Sequence, residues 1–529
     1  MNRPRSVSIR RLAAVGAAAL WTGFAARAQP PPDTPFEVAA DAVPTHRIDE
    51  IVFGRLHELD IAPARPCSDA VFVRRVFLDV TGTLPSAEEA RAFVADPAPD
   101  KRAKLIERLL ASEAFNDYWA MKWADWLRVK AEFPIRLWPK AAEAYYRWIR
   151  TAIAQDRPYD RVARELLLAT GSNFYAPESN FYRAMPARTP EDLARTVALT
   201  FLGERMERWP ETRRTDLAAF FARVRYKGTS EWKEEIVYLD PSATDAAALT
   251  LPDGRRVKIP PGADPRAAFA DWLVASESSG LARAASNRVW FWLMGRGIVH
   301  EPDDLRPDNP PSVPGLLEYL ERELKDSGWR LKHLFRLILN SETYRLSALP
   351  RSSDERAASL FASYPLRRLE AEVLLDAINR ITGATDRYVS AVPEPFTYLP
   401  EEMRAIEIPD GNTTSAFLEL FGRPARDTGR LTERNDAESP GQRLHLLNSR
   451  HIHGKIAQSR RLNELAGRLG ARPEELVESL YWIVLSRPPT AAERRIWAAY
   501  RESGKARGRE LVTDLAWALI NSDEFLYRH

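Results

Sequence analysis

Four arginines stand close together in an irregular segment, residues 409–436, which reads "PDGNTTSAFLELFGRPARDTGRLTERND". They are Arg423, Arg426, Arg430 and Arg434. A guanidinium group presents a planar fork of N–H donors that matches a carboxylate, sulfate or phosphate group. The segment therefore predicts a ligand or anion site. The alternative is a structural loop in which the arginines pair with the nearby acids Asp427, Glu433 and Asp436.

A second set of polar residues lies in and after "NRVWFWLMGRGIVHEPDD". His300 with Asp303 and Asp304 has the residue types that hold a hard cation or work as acid and base. The alternative is a helix N-cap followed by loop acids. A catalytic hypothesis places these three in a deep cleft, where the 409–436 segment meets Asn287, Arg288 and His300.

Two further pairs of titratable residues have the spacing i, i+2: His451 with His453, and Glu370 with Glu372. On predicted helices the members of each pair point in different directions, so they do not predict a shared metal site. For Glu370, an ion pair with the preceding arginines, Arg367 and Arg368, is as good an explanation as catalysis. The sequence contains no Ser/His/Asp order signature, no phosphate-binding glycine loop and no zinc-binding helix motif.

Composition excludes several classes of protein. The chain has 529 residues and a formal charge of +3, but its first 28 residues hold five arginines and no acid. Without them the charge falls by five, to −2. A nearly neutral chain lacks the main requirement for bulk nucleic-acid binding. The single cysteine, Cys67, excludes an internal disulfide, a metal site of several thiolates and a Cys-x-x-Cys-His haem attachment.

The N-terminus has the pattern of an export signal, residues 1–28. A basic stretch, "MNRPRSVSIRR", precedes the apolar "LAAVGAAALWTGFAA" and the small-residue site "ARA". The pair Arg10-Arg11 leaves twin-arginine export open beside the general route, and an uncleaved helical anchor is the alternative to a cleaved signal. No later stretch is apolar enough to span a membrane. We expect an exported protein, periplasmic or extracellular, whose signal is followed by a disordered linker at 29–45.

Helical periodicity dominates the rest of the chain and predicts a mainly α, multi-helical fold with two intimately packed helical regions. Ser86-x-x-Glu89 is a capping box at one predicted helix start. Trp119, Trp123 and Trp126 share one face of another helix. Such a stripe is more typical of a core than of a surface that stacks on sugars.

One region alternates like strands instead. The stretches "EEIVYLD" and "ALTLPDGRRVKIP" are rich in β-branched residues, and Asp253-Gly254 is a strong turn signal. They predict a small β-hairpin insert at about 232–262, between helical domains at 46–231 and 263–529.

Both helical domains resemble known families. The stretch "RRVFLDVTGTLPSAEEARAFVAD" and the "DKRAKLIERLLASEAFNDYWAMKWADWLRV" that follows it resemble the domain of unknown function 1549, best known from planctomycete proteins. The stretch that begins "LVASESSGLARAASNRVWFWLMGRGIVHEPDDLRPDN", with the later "RRLEAEVLLDAI" and "QRLHLLNS", resembles its companion, the domain of unknown function 1553. The resemblance implies an exported bacterial protein that is often encoded beside a sulfatase-like partner. It implies no established activity.

Many members of this family carry a c-type haem segment between "FLG" and "AAFF". Here the two flanking motifs remain, but the intervening "ERMERWPETRRTDL" has neither cysteine nor histidine. The resemblance is therefore to a haem-free branch, and no cofactor is predicted.

Three functional hypotheses follow. The first is a binding or assembly module that works with the sulfatase-like partner, at the cell envelope or on extracellular polysaccharide. The first alternative is an enzyme that acts on an acidic or sulfated glycan. The second alternative, electron transfer, lacks its haem c motif.

Overall fold

The structure is a computed structural model that describes residues 34–132, 137–242, 245–275, 280–392, 395–435, 437–469, 472–506 and 508–529. The predicted signal peptide, the linker residues 29–33 and Asp436 lie outside the described residues. Pro35–His529 forms one compact unit.

The fold is mainly α, which confirms the predicted class. The helices are α1 (Arg47–Glu58), α2 (Asp69–Thr81), α3 (Ala87–Ala95), α4 (Lys101–Leu110), α5 (Glu113–Trp126), α6 (Pro139–Ala154), α7 (Tyr159–Leu168), α8 (Asn180–Arg183), α9 (Pro190–Val197), α10 (Glu211–Ala219), α11 (Pro265–Val274), α12 (Gly280–Met294), α13 (Leu316–Asp326), α14 (Leu331–Asn340), α15 (Glu342–Arg345), α16 (Ala371–Thr382), α17 (Ala416–Leu420), α18 (Pro440–Asn448), α19 (Arg450–Ala457), α20 (Arg460–Leu469), α21 (Pro473–Leu485), α22 (Ala491–Glu502), α23 (Arg509–Ile520) and α24 (Asp523–Leu526).

Side-chain caps fix where several of these helices begin. Ser86 Oγ accepts from the amide of Glu89 at 3.1 Å, and the Glu89 carboxylate accepts from the amide of Ser86 at 3.0 Å. The predicted capping box at α3 is therefore confirmed. Helix α2 ends at Gly82, whose left-handed φ of 61° is favourable for glycine. A Cβ there would lie 2.5 Å from the ring of Tyr118, so only glycine allows this approach.

The strands are short and all pair antiparallel. They are β1 (Gly171–Ser172), β2 (Val224–Gly228), β3 (Glu235–Leu239), β4 (Ala247–Thr250), β5 (Arg256–Ile259), β6 (Arg367–Arg368), β7 (Val389–Ser390), β8 (Thr413–Thr414) and β9 (Tyr527–Arg528). The sheet orders are β1-β3-β2, β4-β5, β6-β9 and β7-β8. The β6-β9 pair brings the last residues of the chain beside the start of α16.

Two hairpins lie where the sequence predicts one. Strands β4 and β5 flank the predicted turn, and Gly254 has the left-handed φ, 86°, that this turn requires. A further hairpin, β2 with β3, begins at Val224, before the predicted start at residue 232. Only Val224 of strand β2 is buried, so this strand has little of the alternation between apolar and polar residues by which a strand is recognised in a sequence.

The tryptophan stripe of α5 is buried, as the core reading of its spacing predicts. The ring of Trp119 packs 4.4 Å from that of Phe335 in α14 and 5.2 Å from that of Trp292 in α12. Its indole N–H donates to the carbonyl of Val80 at 3.1 Å. Helix α5 thus packs against α2, α12 and α14. Lys122 and Asp125 of the site described below also belong to α5.

The described part of the predicted linker is paired with the body of the protein. The amide of Val38 donates to the carbonyl of Pro66, and Glu37 forms an ion pair with Arg65 at 3.1 Å. These contacts involve only the described end of the segment predicted as a linker, and disorder over 29–45 stays a prediction. Among the described residues, no helix has both the length and the apolarity needed to cross a membrane.

Burial of Asp376 in α16 gives the fold a pH dependence that can be measured. Burial raises the pKa of this carboxyl to about 7, from an ordinary value of 3.8, although the amides of Ala405 and Ile406 donate to it. Between these pH values the folded chain holds a proton that the unfolded chain has lost. This group therefore makes the free energy of unfolding fall as pH rises, by up to about 1.4 kcal/mol per pH unit.

Asp376→Asn cannot titrate, so we expect its stability relative to wild type to improve from about pH 4 to about pH 7 and to level off above that. Urea unfolding of both proteins at several pH values measures this difference. The exposed Asp326→Asn serves as the control for removing an acid from the surface. A constant difference between Asp376→Asn and wild type would contradict the raised pKa.

Candidate functional site

Three of the four arginines of the 409–436 segment are turned inward and bind carboxylates of other helices. Arg434 binds Glu372 of α16 at 2.6 Å and Asp125 of α5 at 2.7 Å. Arg426 binds the other oxygen of Asp125 at 2.8 Å, and Arg423 lies 3.4 Å from Glu372. The segment is therefore fastened to α5 and α16 by a cluster of buried ion pairs.

The charges of this cluster stabilise one another. Burial alone would raise the pKa of Asp125, but Arg434 and Arg426 hold it below its usual range. Burial alone would lower the pKa of Arg434, but Glu372 and Asp125 hold it well above its usual range. Burial and the neighbouring Arg426 lower the pKa of Arg423 to about 10. Asp125, Arg423 and Arg434 therefore remain charged near neutral pH.

A second buried cluster adjoins the first and centres on Glu370. This carboxylate accepts from Lys122 of α5, from Arg528 of β9 at 2.7 Å and from the hydroxyl of Tyr118 at 2.9 Å. Burial would raise the pKa of Glu370, yet Arg528 and Lys122 hold it well below its usual range. The C-terminal strand thereby becomes part of the site.

The prediction that Glu370 pairs with the preceding arginines is wrong, because its partners are Lys122 and Arg528. Helix α16 begins at Ala371, so Glu370 is its extended N-cap and points toward α5 rather than along a helix. Arg367 instead binds Asp79 at 3.0 Å, and Arg368 donates to the carbonyl of Ala437 and to Gln442. Glu370 and Glu372 consequently reach neighbouring clusters, although their spacing on a helix would have separated them.

A cleft with a volume of about 330 Å³ lies over the two clusters. Lys122, Asp125, Glu370 and Arg434 line it together with aromatic rings, which are those of Trp126, Phe291, Trp292 and Tyr527. Aromatic rings beside a few fixed polar groups are a common lining of sites for small organic ligands.

Arg430 is the most exposed of the four arginines of the segment and has the longest ion pair. Its side chain is 40% exposed, and its nearest carboxylate, that of Glu207, is 3.9 Å away. Its guanidinium makes no side-chain hydrogen bond among the described residues. Arg430 lines the cleft and also a neighbouring cavity of about 420 Å³, to which Glu204, Arg205 and Glu207 contribute. Arg430 is therefore a lining residue of both cavities.

The structure brings some of the other predicted site residues to the segment. Asp303 binds Arg288 at 3.3 Å, and its second oxygen accepts from the amide of Leu431 at 2.8 Å. The guanidinium of Arg288 lies 4.5 Å from the ring centre of Trp126, which lines the cleft. Arg288 and Asp303 thus support the segment from inside the protein.

The remaining predicted residues lie away from the cleft. Asn287 is buried and bonds the amide and carbonyl of Val299 at 2.9 Å each. Asp304 binds Arg208 and Arg306. Thus the described structure gives His300 and Asp304 separate partners, and their catalytic role stays a prediction.

His300 itself lies 3.6 Å from Glu301. Burial and the charge of Arg296 lower its pKa.

Histidines elsewhere are held by protein partners. His451 in α19 binds Asp386 at 2.9 Å and lies 3.3 Å from His445. His453, two residues further on, is exposed. Within the described ranges, no group of three or more His, Cys, Asp or Glu side chains is arranged to hold a metal ion.

The fold and the cleft define a mainly helical protein whose charged, ring-lined cleft is held open by buried ion pairs. Residues 47–220 match the family model PSCyt2, protein of unknown function (DUF1549), and residues 265–501 match PSD1, protein of unknown function (DUF1553). The chain therefore contains both domains, as the resemblance of its motifs predicts. No curated protein and no solved structure matches the chain.

The cleft draws on both matched regions. Lys122, Asp125 and Trp126 belong to the first, and Trp292, Glu370 and Arg430 belong to the second. Tyr527 and Arg528 come from beyond either match. The arrangement needs the two domains packed together and the C-terminal strand in place.

Proposed function

We propose that the protein is an exported binding or assembly module that holds an acidic, hydroxyl-rich polymer, such as an acidic or sulfated polysaccharide, in this cleft. The observation that carries the proposal is Arg430, a partly exposed cation that lines both cavities. A charge-assisted hydrogen bond from an arginine to a sulfate or carboxylate is among the stronger polar contacts in proteins. A polymer that fills both cavities would cross this cation.

Fixed charges in the cleft favour binding over turnover. An efficient general acid or base has a pKa near the working pH. The pKa values of Asp125 and Glu370 are lowered and that of Arg434 is raised, so these groups keep one charge state near neutral pH. Burial lowers the pKa of Lys122, but Glu370 binds its ammonium group. Such a cleft orients a ligand without exchanging protons with it.

Export and partnership complete the proposal. The N-terminal pattern of basic, apolar and small residues supports passage across the inner membrane. The resemblance of the two domains supports work beside a sulfatase-like protein. In this arrangement the module presents the sulfated chain, and the partner performs the chemistry.

We expect Arg430→Ala to weaken binding of a sulfated polysaccharide about tenfold or more, since one charge-assisted hydrogen bond to the ligand is lost. Isothermal titration with a sulfated glycan of defined length measures the affinity. Binding should also weaken as salt is raised, because the contact is partly exposed.

Arg460→Ala is the matched control, because its side chain is 91% exposed and carries the same charge. Equal affinities for wild type and Arg430→Ala would contradict the proposed cleft. Release of sulfate or of new reducing ends by the purified wild-type protein would instead establish the enzyme alternative.

A further inference from the structure

A second surface feature, separate from the residues of the cleft, is an exposed aromatic pair. Trp232 lies in the turn between β2 and β3 and is 60% exposed, and Phe396 is 37% exposed. A tryptophan is one of the largest apolar side chains, and it is highly buried on average. The exposure of Trp232 is therefore unusual, and its contacts are described next.

The turn that carries Trp232 is held in one conformation. Thr229 donates from its hydroxyl to Glu234 at 2.7 Å, and the amide of Glu234 donates to the carbonyl of Glu231 at 3.2 Å. Asn173 donates to the carbonyl of Lys233 at 3.0 Å. Lys233 has a left-handed φ of 62°, which is uncommon for a residue other than glycine. A strained backbone next to an exposed ring is a reason to look for a function.

Neighbouring rings fix the orientation of the indole. Trp232 stacks on Phe396 with centroids 5.4 Å apart and planes at 30°. Its edge meets the buried ring of Trp138 at 5.1 Å and 84°. The ammonium of Lys233 lies 5.5 Å from the centre of the Trp232 ring. These contacts hold the exposed indole in one orientation. A ligand that binds it would therefore cause little further loss of side-chain entropy.

We propose that Trp232 and Phe396 form a stacking platform for the apolar face of a sugar ring in a neutral polysaccharide. A rigid aromatic face that stays in water fits the C–H face of a pyranose, and the exposed Lys233 next to it can donate to sugar hydroxyls. The chain next to both rings carries exposed acids, Glu231, Glu401 and Glu402. Those charges disfavour an acidic sugar, so this ligand differs from that of the cleft.

The surroundings argue against a lipid or a large protein surface. The residues directly before and after Trp232, Glu231 and Lys233, are charged, and the exposed Tyr398 near Phe396 in the chain carries a polar hydroxyl. A membrane-inserting loop or an obligate protein interface would extend the apolar patch further. Two rings offer room for one or two sugar units. The platform is therefore suited to holding a long neutral chain weakly at one point.

Titration calorimetry of the full-length mature protein with cellohexaose and with mannohexaose tests this platform. We expect wild type to bind at least one of them, Trp232→Ala to weaken that binding about tenfold, and Trp232→Phe to retain most of it. Ile496→Ala, which removes an exposed apolar side chain from α22, should leave the affinity unchanged.

Three outcomes would overturn the platform. They are no binding of either hexasaccharide by wild type, equal affinities for wild type and Trp232→Ala, and binding of phosphatidylcholine vesicles that depends on Trp232 while the sugars do not bind. Thermal melting of each variant shows that it is folded, so a loss of affinity reports on the ring itself.

Discussion

Replacing Asp79 with alanine is expected to lower the free energy of unfolding by about 3–5 kcal/mol, the usual cost of removing one partner from a buried charge cluster. The side chain of Asp79 in α2 is fully buried. It accepts from the hydroxyls of Tyr344 and Tyr364 at 2.8 and 2.7 Å. It also binds Arg367 at 3.0 Å and Arg528 at 3.2 Å. Without the carboxylate, two buried guanidinium groups lose a counter-charge and two buried hydroxyls lose their acceptor.

Urea unfolding followed by circular dichroism measures the loss. Asp79→Asn keeps the shape of the side chain and one acceptor oxygen, so we expect it to lose somewhat less stability than the alanine variant. Asp326→Asn, at an exposed position, is the control for a general effect of removing an acid. An Asp79→Ala protein with the stability of wild type would show that the cluster around β9 does not hold the fold together.

The features that the sequence predicts correctly are those set by neighbouring residues. The capping box at Ser86 depends on a residue three positions away, and the burial of the tryptophans in α5 depends on one helix face. The turn at Gly254 depends on two residues. Each of these signals is contained in a short window, so periodicity and turn chemistry are sufficient to find it.

The features that the sequence leaves open are the partners of charged residues far apart in the chain. The 409–436 segment stands out by composition, but Arg434 pairs with Asp125, which is 309 residues away. Arg528 lies next to the last residue and reaches Asp79 across 449 positions. A single sequence gives no signal that two residues so far apart in the chain are in contact. The choice between a ligand site and a structural loop could therefore not be made from the arginines alone.

In the structure, some arginines of the 409–436 segment have the structural role and one has the features of a ligand site. Arg423, Arg426 and Arg434 are occupied by Glu372 and Asp125, which corresponds to the structural alternative. Arg430 lines the two cavities, is 40% exposed and has only a long ion pair with Glu207, which corresponds to the binding alternative. The buried pairs fix the backbone of the segment, and this fixed backbone determines where Arg430 points.

Replacing Glu372 with glutamine is expected to cost about 3–5 kcal/mol of stability and to weaken the cleft as well. Glu372 is fully buried and is the shared counter-charge of Arg434 and Arg423. Glutamine has nearly the same shape, so the loss reports on charge rather than packing. Arg434 also lines the cleft, and we therefore expect binding of a sulfated glycan to fall together with stability.

A double-mutant cycle separates the ion pair from the rest of the cluster. Arg434→Met removes the cation and leaves Glu372 with Arg423, and the double variant Glu372→Gln with Arg434→Met removes both charges of the closest pair. If the pair acts as a unit, the double variant is more stable than the sum of the two single losses implies, by about 1–3 kcal/mol. Additive losses would mean that Glu372 and Arg434 contribute independently. The segment would then be positioned mainly by the bonds of Arg426 to Asp125 and to the carbonyls of Val129 and Pro409.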